Sequence, residues 1–553
     1  MNRIIVACLV AFAIVLIELM AGGTRYVFCI PSYTLLACAS FIAIFRRPDR
    51  TSKVAADAVI VTLIVFAYIL WRAAVSPVEY YWWADFLSAL GCLCVYLLTT
   101  FHLTGRRERR IIITALLLLA VFEILFGIRQ FAGGDEWMPF GFMRAPSGRR
   151  ASGSLISSIH LAGYLEAIAP FALSAALWSG SKIGWRIALG YLAAACYFGV
   201  AITGSRGGYL SVLFSLVVFA FIGLFVSKRT RPRLFGRTLF ITGSALLVGT
   251  VVAVTIMSSS DLLRTRLELI PKQLEKNGLD IRIYNWQAAL DQFRVAPIVG
   301  TGAGTHLVYG RYFRRPQLQS DPINAHNDYL ELLAEYGIVG AFGMAAFLVL
   351  HIGRAWEGLL RFVRQHLRTR YGDDPLRGEE LALTIGALTA VAAYIAHSVV
   401  DFNLHIPGHA LIFAFIFGIM ANPGSVTEEP PPKWPFWLRW TLPVTALALL
   451  LFAFPKFAGA YWAEMSRVAL RNGDVELALK YAGEAQQFED RNPELYFHLG
   501  TAYRRMALAD EDRETKVAHL NASVGAYLAA LKIFPQDENA MVRLAQVLGA
   551  LGR

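Results

Sequence analysis

Three residues stand where hydropathy asks for none of them. Arg206 lies in Gly204-Ser205-Arg206-Gly207-Gly208, Arg282 opens Arg282-Ile-Tyr-Asn-Trp286, and His326 sits in Asn324-Ala-His326-Asn327-Asp328. Each falls beside an apolar run, where an ionisable side chain marks a functional site by default. The residue types suggest a chemistry. A guanidinium grips phosphate through two parallel hydrogen bonds. A neutral imidazole takes a proton near neutral pH.

Each residue also has a plainer reading. Glycines on both sides of Arg206 let a large ligand approach the backbone; the alternative is an arginine snorkelling to an interface. Arg282 follows Asp280, a helix N-cap by type. The spacing of Trp286, Ala289 and Phe293 predicts that they pack inward on that helix. A cation at a helix N-terminus opposes the macrodipole. That cost points to a bound anion shared between the arginine and the free N–H groups; the alternative is a salt bridge. His326 precedes a helix over 328–335. Nearby arginines and the helix N-terminus disfavour an imidazolium there, which suits a general base. The alternative is a structural histidine.

Weaker candidates surround these three. Arg144, Arg149 and Arg150 precede Ala151-Ser-Gly153-Ser154 and would extend an anion site. Asn327 adjoins His326 and is placed with the substrate-binding residues. Asp401, in the turn from His397 to Pro407, would either hold an arginine or touch substrate. Gly300-x-Gly302-x-Gly304 lacks a surrounding βαβ unit, so it reads as a tight turn or anion nest and not as a dinucleotide fingerprint. The outside loops hold no Asp-x-Asp pair and no His/Cys ligand spacing, so neither metal nor cofactor is expected.

The elements that must position these groups are membrane helices. Of 553 residues, 56% are hydrophobic and only 17% charged, where soluble domains carry about 25% charged residues. Mean hydropathy is +0.49. Apolar runs of near 20 residues recur, predicting an all-α polytopic membrane protein with roughly thirteen spans. They fall near 4–20, 26–45, 54–71, 83–103, 111–131, 157–179, 185–203, 208–227, 238–257, 333–352, 381–400, 408–421 and 437–459. The first is read as a retained span, since more spans follow it and no clear small-residue cleavage site does.

Basic clusters set the expected orientation. Arg46, Arg47, Arg50 and Lys53 follow the second span; Arg106, Arg107, Arg109 and Arg110 the fourth; Lys228 to Arg237 the eighth; Arg354 to Arg370 the tenth. Alternating spans put all four in the cytoplasm, which places the 258–332 loop and the C-terminal tail outside. The net charge of +12 therefore reports topology and does not argue for nucleic acid. All six cysteines fall in apolar spans, so no disulfide framework is implied.

After residue 460 the chain becomes charged, Ala-rich and helical in period. Pro493-Glu-Leu-Tyr496 to Tyr503, then Tyr527, Ala530, Leu531 and Pro535, fit the two helices of a tetratricopeptide repeat, with Ala478, Ala482 and Ala485 as an earlier half-repeat. The expected division is a membrane domain over 1–460, with its catalytic loop at 258–332, and a helical-repeat module over 461–553. Such a module needs neighbours to bury its faces, either the membrane domain or a protein partner.

In their order and spacing these motifs resemble the O-antigen ligase family of bacterial polytopic glycosyltransferases, whose relatives include O-antigen polymerases. The resemblance runs over about residues 111–421. It is carried by Ser205-Arg206-Gly207, by Arg282 to Trp286 with Pro297 and Gly300-x-Gly302-x-Gly304, by Ala325-His326-Asn327-x-Tyr329 with Gly337 and Gly340, and by the turn from His397 to Pro407. It implies metal-independent transfer of a glycan from a polyprenyl-pyrophosphate-linked donor. The acceptor hydroxyl, on lipid A-core or another glycan, would lie at the periplasmic face of the bacterial inner membrane. By the same resemblance Arg206 and Arg282 hold the pyrophosphate and His326 activates the acceptor. The segment 153–165 resembles a family segment that usually carries Asn around 157–159, where this chain has Ser157-Ser158-Ile159.

Three functions compete on the sequence: a ligase or polymerase, a lipid-linked glycan flippase, and a non-catalytic anchor for the repeat module. A flippase should carry its ionisable residues at the bilayer midplane, whereas these cluster at outer span ends. An anchor leaves Arg206, Arg282 and His326 without a purpose.

Overall fold

The structure is a computed structural model. It describes residues 2–45, 54–78, 80–134, 137–138, 148–230, 232–237, 239–240, 243, 281–316, 323–368, 375–424 and 438–553. Arg144, Asp280, most of the expected span 238–257 and the first part of the 258–332 loop lie outside them.

Eight helices open the chain: α1 (Asn2–Leu19), α2 (Tyr26–Ile44), α3 (Ala56–Ala74), α4 (Trp82–Phe101), α5 (Arg106–Gly133), α6 (Ser158–Trp178), α7 (Ile183–Thr203) and α8 (Arg206–Thr230). Then come α9 (Ile281–Val295), α10 (His306–Tyr312), α11 (Asp328–Arg368), α12 (Pro375–His397), α13 (Pro407–Ala421) and α14 (Leu438–Ala453). Ten helices among the described residues are long and apolar enough to cross a membrane. The protein is an all-α polytopic membrane protein, as the composition predicts.

Burial separates the core of the bundle from its rim. Most of α6 and all of α13 from Gly408 to Ala421 are buried. A helix that is apolar and enclosed on every side belongs at the centre of a bundle. α7 and α8 instead turn large residues outward, among them Trp185, Tyr191, Leu213 and Phe221, as lipid-facing helices do. Cys8 and Cys38 are also exposed, and all six cysteines are free.

The two ends of the bundle differ in character. One collects basic groups: Arg109 donates to the Leu103 and Asn422 carbonyls, Arg110 pairs with Glu379, and Arg354 with Asp57. The other end carries the candidate residues that the structure describes. α13 is short, its 15 residues reaching about 22 Å against a hydrocarbon core of about 30 Å. Its inner end is flush with α3 and α5, since Ala421 accepts from the Ala55 N–H and Asn422 from Arg109. Its outer end, and the turn 398–406 before it, is therefore recessed among longer helices.

The tail folds as five helices: α15 (Phe457–Arg471), α16 (Val475–Phe488), α17 (Pro493–Ala509), α18 (Arg513–Ile533) and α19 (Glu538–Ala550). They form the hairpins α15–α16 and α17–α18. Asp474, Asn492, Asp512 and Asp537 each accept from backbone N–H groups of the helix that follows, the preferred way to satisfy helix-start donors. Small and aromatic residues fill the hairpins: Ala482, Ala485, Leu495 and Leu499 in one cluster, Ala507, Tyr527 and Ala530 in another. The tail touches the bundle through Arg25 with Glu464 at 3.4 Å and through the rings of Tyr81 and Phe534.

Candidate active site

Three stretches far apart in sequence meet at the recessed end. The first is the junction of α7 and α8. Gly204, at φ +63°, ends α7 and reverses the chain, so that Arg206 opens α8. Behind it, Gly207 lies against the turn after α12: a Cβ there would sit 2.9 Å from His397 Nε2 and 2.8 Å from Val400. Only glycine permits this approach, and it sets Arg206 one residue from the buried His397.

The second stretch is His326 with the start of α11. His326 has φ +52°, a left-handed conformation rare outside glycine. Such strain persists only where surrounding contacts enforce it, and it gathers at functional sites. The enforcing contacts are visible. Trp286 Nε1 donates to the His326 carbonyl at 3.3 Å. The imidazole meets Phe402 edge to face at 4.7 Å. His326 Nδ1 stands 3.4 Å from Asp401 Oδ1, with the imidazole about a third exposed and the carboxylate 1% exposed.

α9 is the third. Trp286 lies four residues after Arg282, one helical turn, so the helix that reaches His326 also carries Arg282. The expectation for this helix holds at Ala289 and needs correction at Trp286 and Phe293. Its buried residues are Asn285, Ala288, Ala289 and Gln292, while Trp286 and Phe293 are half-buried. A polar inner face forms because α9 packs on a hydrogen-bonding loop. Gln292 Nε2 donates to Thr301 at 2.8 Å and Thr305 at 3.1 Å, and its Oε1 accepts from His306 Nδ1 at 2.7 Å.

Gly300-x-Gly302-x-Gly304 forms that loop, with all three glycines at positive φ. Arg72 donates to the Gly300 carbonyl at 2.8 Å, and Glu335 accepts from the N–H groups of Gly304 and His306. α11 breaks at Gly337, with φ +66° and ψ −170°. The break frees the carbonyls of Ala334 and Glu335, which accept from Thr301 and Gly302. The loop is thus a structural clasp, and the N–H groups of Gly300, Thr301, Gly302 and Gly304 donate to the protein.

A buried polar chain runs behind His326. Asp401 Oδ2 is 3.7 Å from His397 Nε2; His397 Nδ1 is 2.7 Å from Glu166; Ser211 donates to Glu166. Beside it, His405 lies 3.2 Å from Asp328 and 3.4 Å from Glu331, and Ser398 donates to Asp328. Burial opposes a charge on His405, but Glu331 and Asp328 outweigh it and raise its pKa well above the usual histidine range. Asp401 goes the other way. Burial resists its charge, yet contact with His326 and His397 lowers its pKa below the usual carboxylate range.

The remaining candidates are placed as follows. Asn327 accepts from the Tyr329 and Leu330 N–H groups through Oδ1, capping α11. Asp401 is enclosed and faces two imidazoles. Arg150 donates to the Thr203 carbonyl at 2.7 Å and lies against Gly204, beside the Arg206 turn. Arg149 is exposed and packs over Gly134 at the end of α5. No group of three or more potential metal ligands occurs among the described residues. Sequence reasoning missed Glu166, Gln292, His306, Glu331, Glu335 and His405. Each lies in an apolar helix or an ordinary-looking loop, and only long-range contact reveals it.

Residues 189–345 match the family model described as O-Antigen ligase. The matched stretch holds Arg206, Arg282 and His326, and stops short of Asp401. No curated protein matches the chain. With the multispan fold, the match supports a multi-pass membrane enzyme of polysaccharide biosynthesis, similar in general type to the O-antigen ligases and polymerases.

Proposed function

We propose that the protein transfers a glycan from a polyprenyl-pyrophosphate-linked donor to an acceptor hydroxyl. Transfer takes place at the periplasmic face of the inner membrane. What supports this reading is that Gly207, next to Arg206, packs on His397, and that Trp286, one turn after Arg282, donates to the His326 carbonyl, all at the recessed end of the bundle. A donor with a lipid tail and a water-soluble glycan needs its reactive pyrophosphate at such a boundary.

The geometry supports the following roles. In the tautomer that carries its proton on Nδ1, 3.4 Å from Asp401 Oδ1, His326 keeps the Nε2 lone pair for the acceptor. Nε2 takes the acceptor's hydroxyl proton as its oxygen bonds to the anomeric carbon. The bond from that carbon to the pyrophosphate oxygen breaks, and the electron pair leaves with the pyrophosphate. Arg206 and Arg282 stabilise the charge that develops there, and fixed cations in a partly dehydrated cleft act strongly on such charge. Arg150 lies close enough to the Arg206 turn to join them. Asp401 acts through His326 as a positioning residue. The arginines supply the positive charge the leaving group needs, so the reading requires no metal.

Glycan profiling of a deletion strain tests this. Unligated lipid-linked chains indicate a ligase, for which lipid A-core is the leading acceptor. Single repeat units on the acceptor indicate a polymerase. An unchanged profile would overturn both.

A further inference from the structure

A cavity of about 590 Å³ opens between the tail and the bundle, within the ~300–1,000 Å³ range of small-molecule sites. Three parts of the protein form it. The start of α2 and the α3–α4 turn contribute Tyr26, Tyr80 and Tyr81; α10 contributes Leu307 and Arg311; the tail contributes Phe497 and Phe534. Glu489, Glu494, Asp537 and Asn539 of the tail add carboxylates and an amide. The cavity adjoins the candidate active site. Leu307 follows His306 of the clasp, and Tyr81 lies under Gly304, where a Cβ would meet its backbone at 3.5 Å.

The lining suits one chemistry. An acyl chain would leave the carboxylates and arginines facing hydrocarbon, which is costly. A packing defect would be apolar and small. Two polar atoms here have no hydrogen bond among the described residues. Glu489 is 8% exposed and binds Lys456 through Oε1 at 3.3 Å, leaving Oε2 without a hydrogen bond. The Tyr26 hydroxyl also has none. Buried polar groups are normally satisfied, so both call for a ligand rich in hydroxyls. A sugar ring has that character: its C–H face lies against aromatic rings, and its hydroxyls donate to carboxylates and accept from arginine.

We infer that this cavity binds a short oligosaccharide, holding glycan beside the active site with the tail as one wall. The inference rests on the transferase reading only for the source of the glycan. That source is either the donor chain or the acceptor, and the chemistry is shared.

The test uses full-length protein in nanodiscs and two probes: donor glycan released from its lipid by mild acid, and acceptor oligosaccharide cut from its anchor. Calorimetry is expected to show one of them binding. The double variant Glu494→Gln/Asn539→Ala should weaken it about tenfold or more, the worth of a hydrogen bond to a charged group. Asn539→Trp, which adds bulk at an exposed position on the cavity wall, should do the same without removing a buried contact. Neither probe binding the parent protein, or both variants binding as it does, would overturn the inference. His326→Ala separates the two readings. If it binds glycan normally and still transfers, the transferase mechanism fails and the cavity stands. If it loses transfer while the cavity variants bind as the parent does, the cavity fails and the mechanism stands.

Discussion

Gly300 and Gly337 cross backbone to backbone. A Cβ on Gly300 would fall 2.2 Å from the Glu335 carbonyl carbon, and one on Gly337 2.3 Å from the Ile298 carbonyl oxygen. The crossing joins the clasp to α11, and α11 begins two residues after His326. Gly337→Ala must therefore displace the clasp as well as strain its own backbone, where the φ/ψ region alone costs roughly 1–3 kcal/mol. We expect a lower thermal midpoint and reduced transfer. Gly353→Ala, in the same helix with open space around it, is the control and should stabilise slightly. Equal midpoints for the two variants would remove the crossing from the argument.

His326→Ala should abolish transfer while donor binding survives, because a base acts on the acceptor. General base catalysis is worth roughly 10²–10⁴ in rate. Asp401→Asn should lose less, with His326 still present but less firmly oriented. Rate and donor affinity measured separately check this; a fall in donor affinity with rate intact would reverse the assignment.

Arg206→Lys and Arg282→Lys should each fail to restore activity, since lysine keeps the charge but loses the two-pronged geometry. Each arginine lost should cost roughly 10²–10³ in rate. A lysine variant at near-parent rate would make that arginine a simple counter-charge.

The spans and the order of the motifs were legible because each is local: hydropathy over 20 residues, or a short string such as Ser205-Arg206-Gly207. Arg206, Arg282 and His326 could be named because charge is conspicuous in an apolar chain. Their partners could not. Glu166 and His397 are 231 residues apart, and no periodicity links them. Asp401 was noticed, but its direction towards His326 depends on the recess made by the short α13. The inner face of α9 was only partly foreseen, because amphipathic reasoning assumes an apolar neighbour, whereas Gln292 faces the loop of Thr301, Thr305 and His306. The tail's hairpins were visible in spacing; that Phe534 would reach Tyr81 was not.

Transfer should persist in EDTA if the two arginines provide the charge stabilisation. A loss in chelator, restored by Mg²⁺ or Mn²⁺, would place a metal in the reaction and demote the arginine clamp.

His405 makes the site's stability depend on pH. It faces Asp328 and Glu331 of α11, with Asp85 of α4 also near enough to favour its charge. Its folded pKa is raised above its unfolded value of about 6.5. A group raised on folding stabilises fully below the unfolded pKa, and the gain disappears as pH climbs through the folded value. The carboxylates then face one another across a neutral ring, and the turn 401–407 loses its hold on α11. The thermal midpoint of the parent protein should therefore fall on the alkaline side of neutrality. His405→Gln should start lower at pH 6 and show a flatter slope through that range. Parallel curves for the two proteins would mean that the His405 charge does not hold the turn to α11.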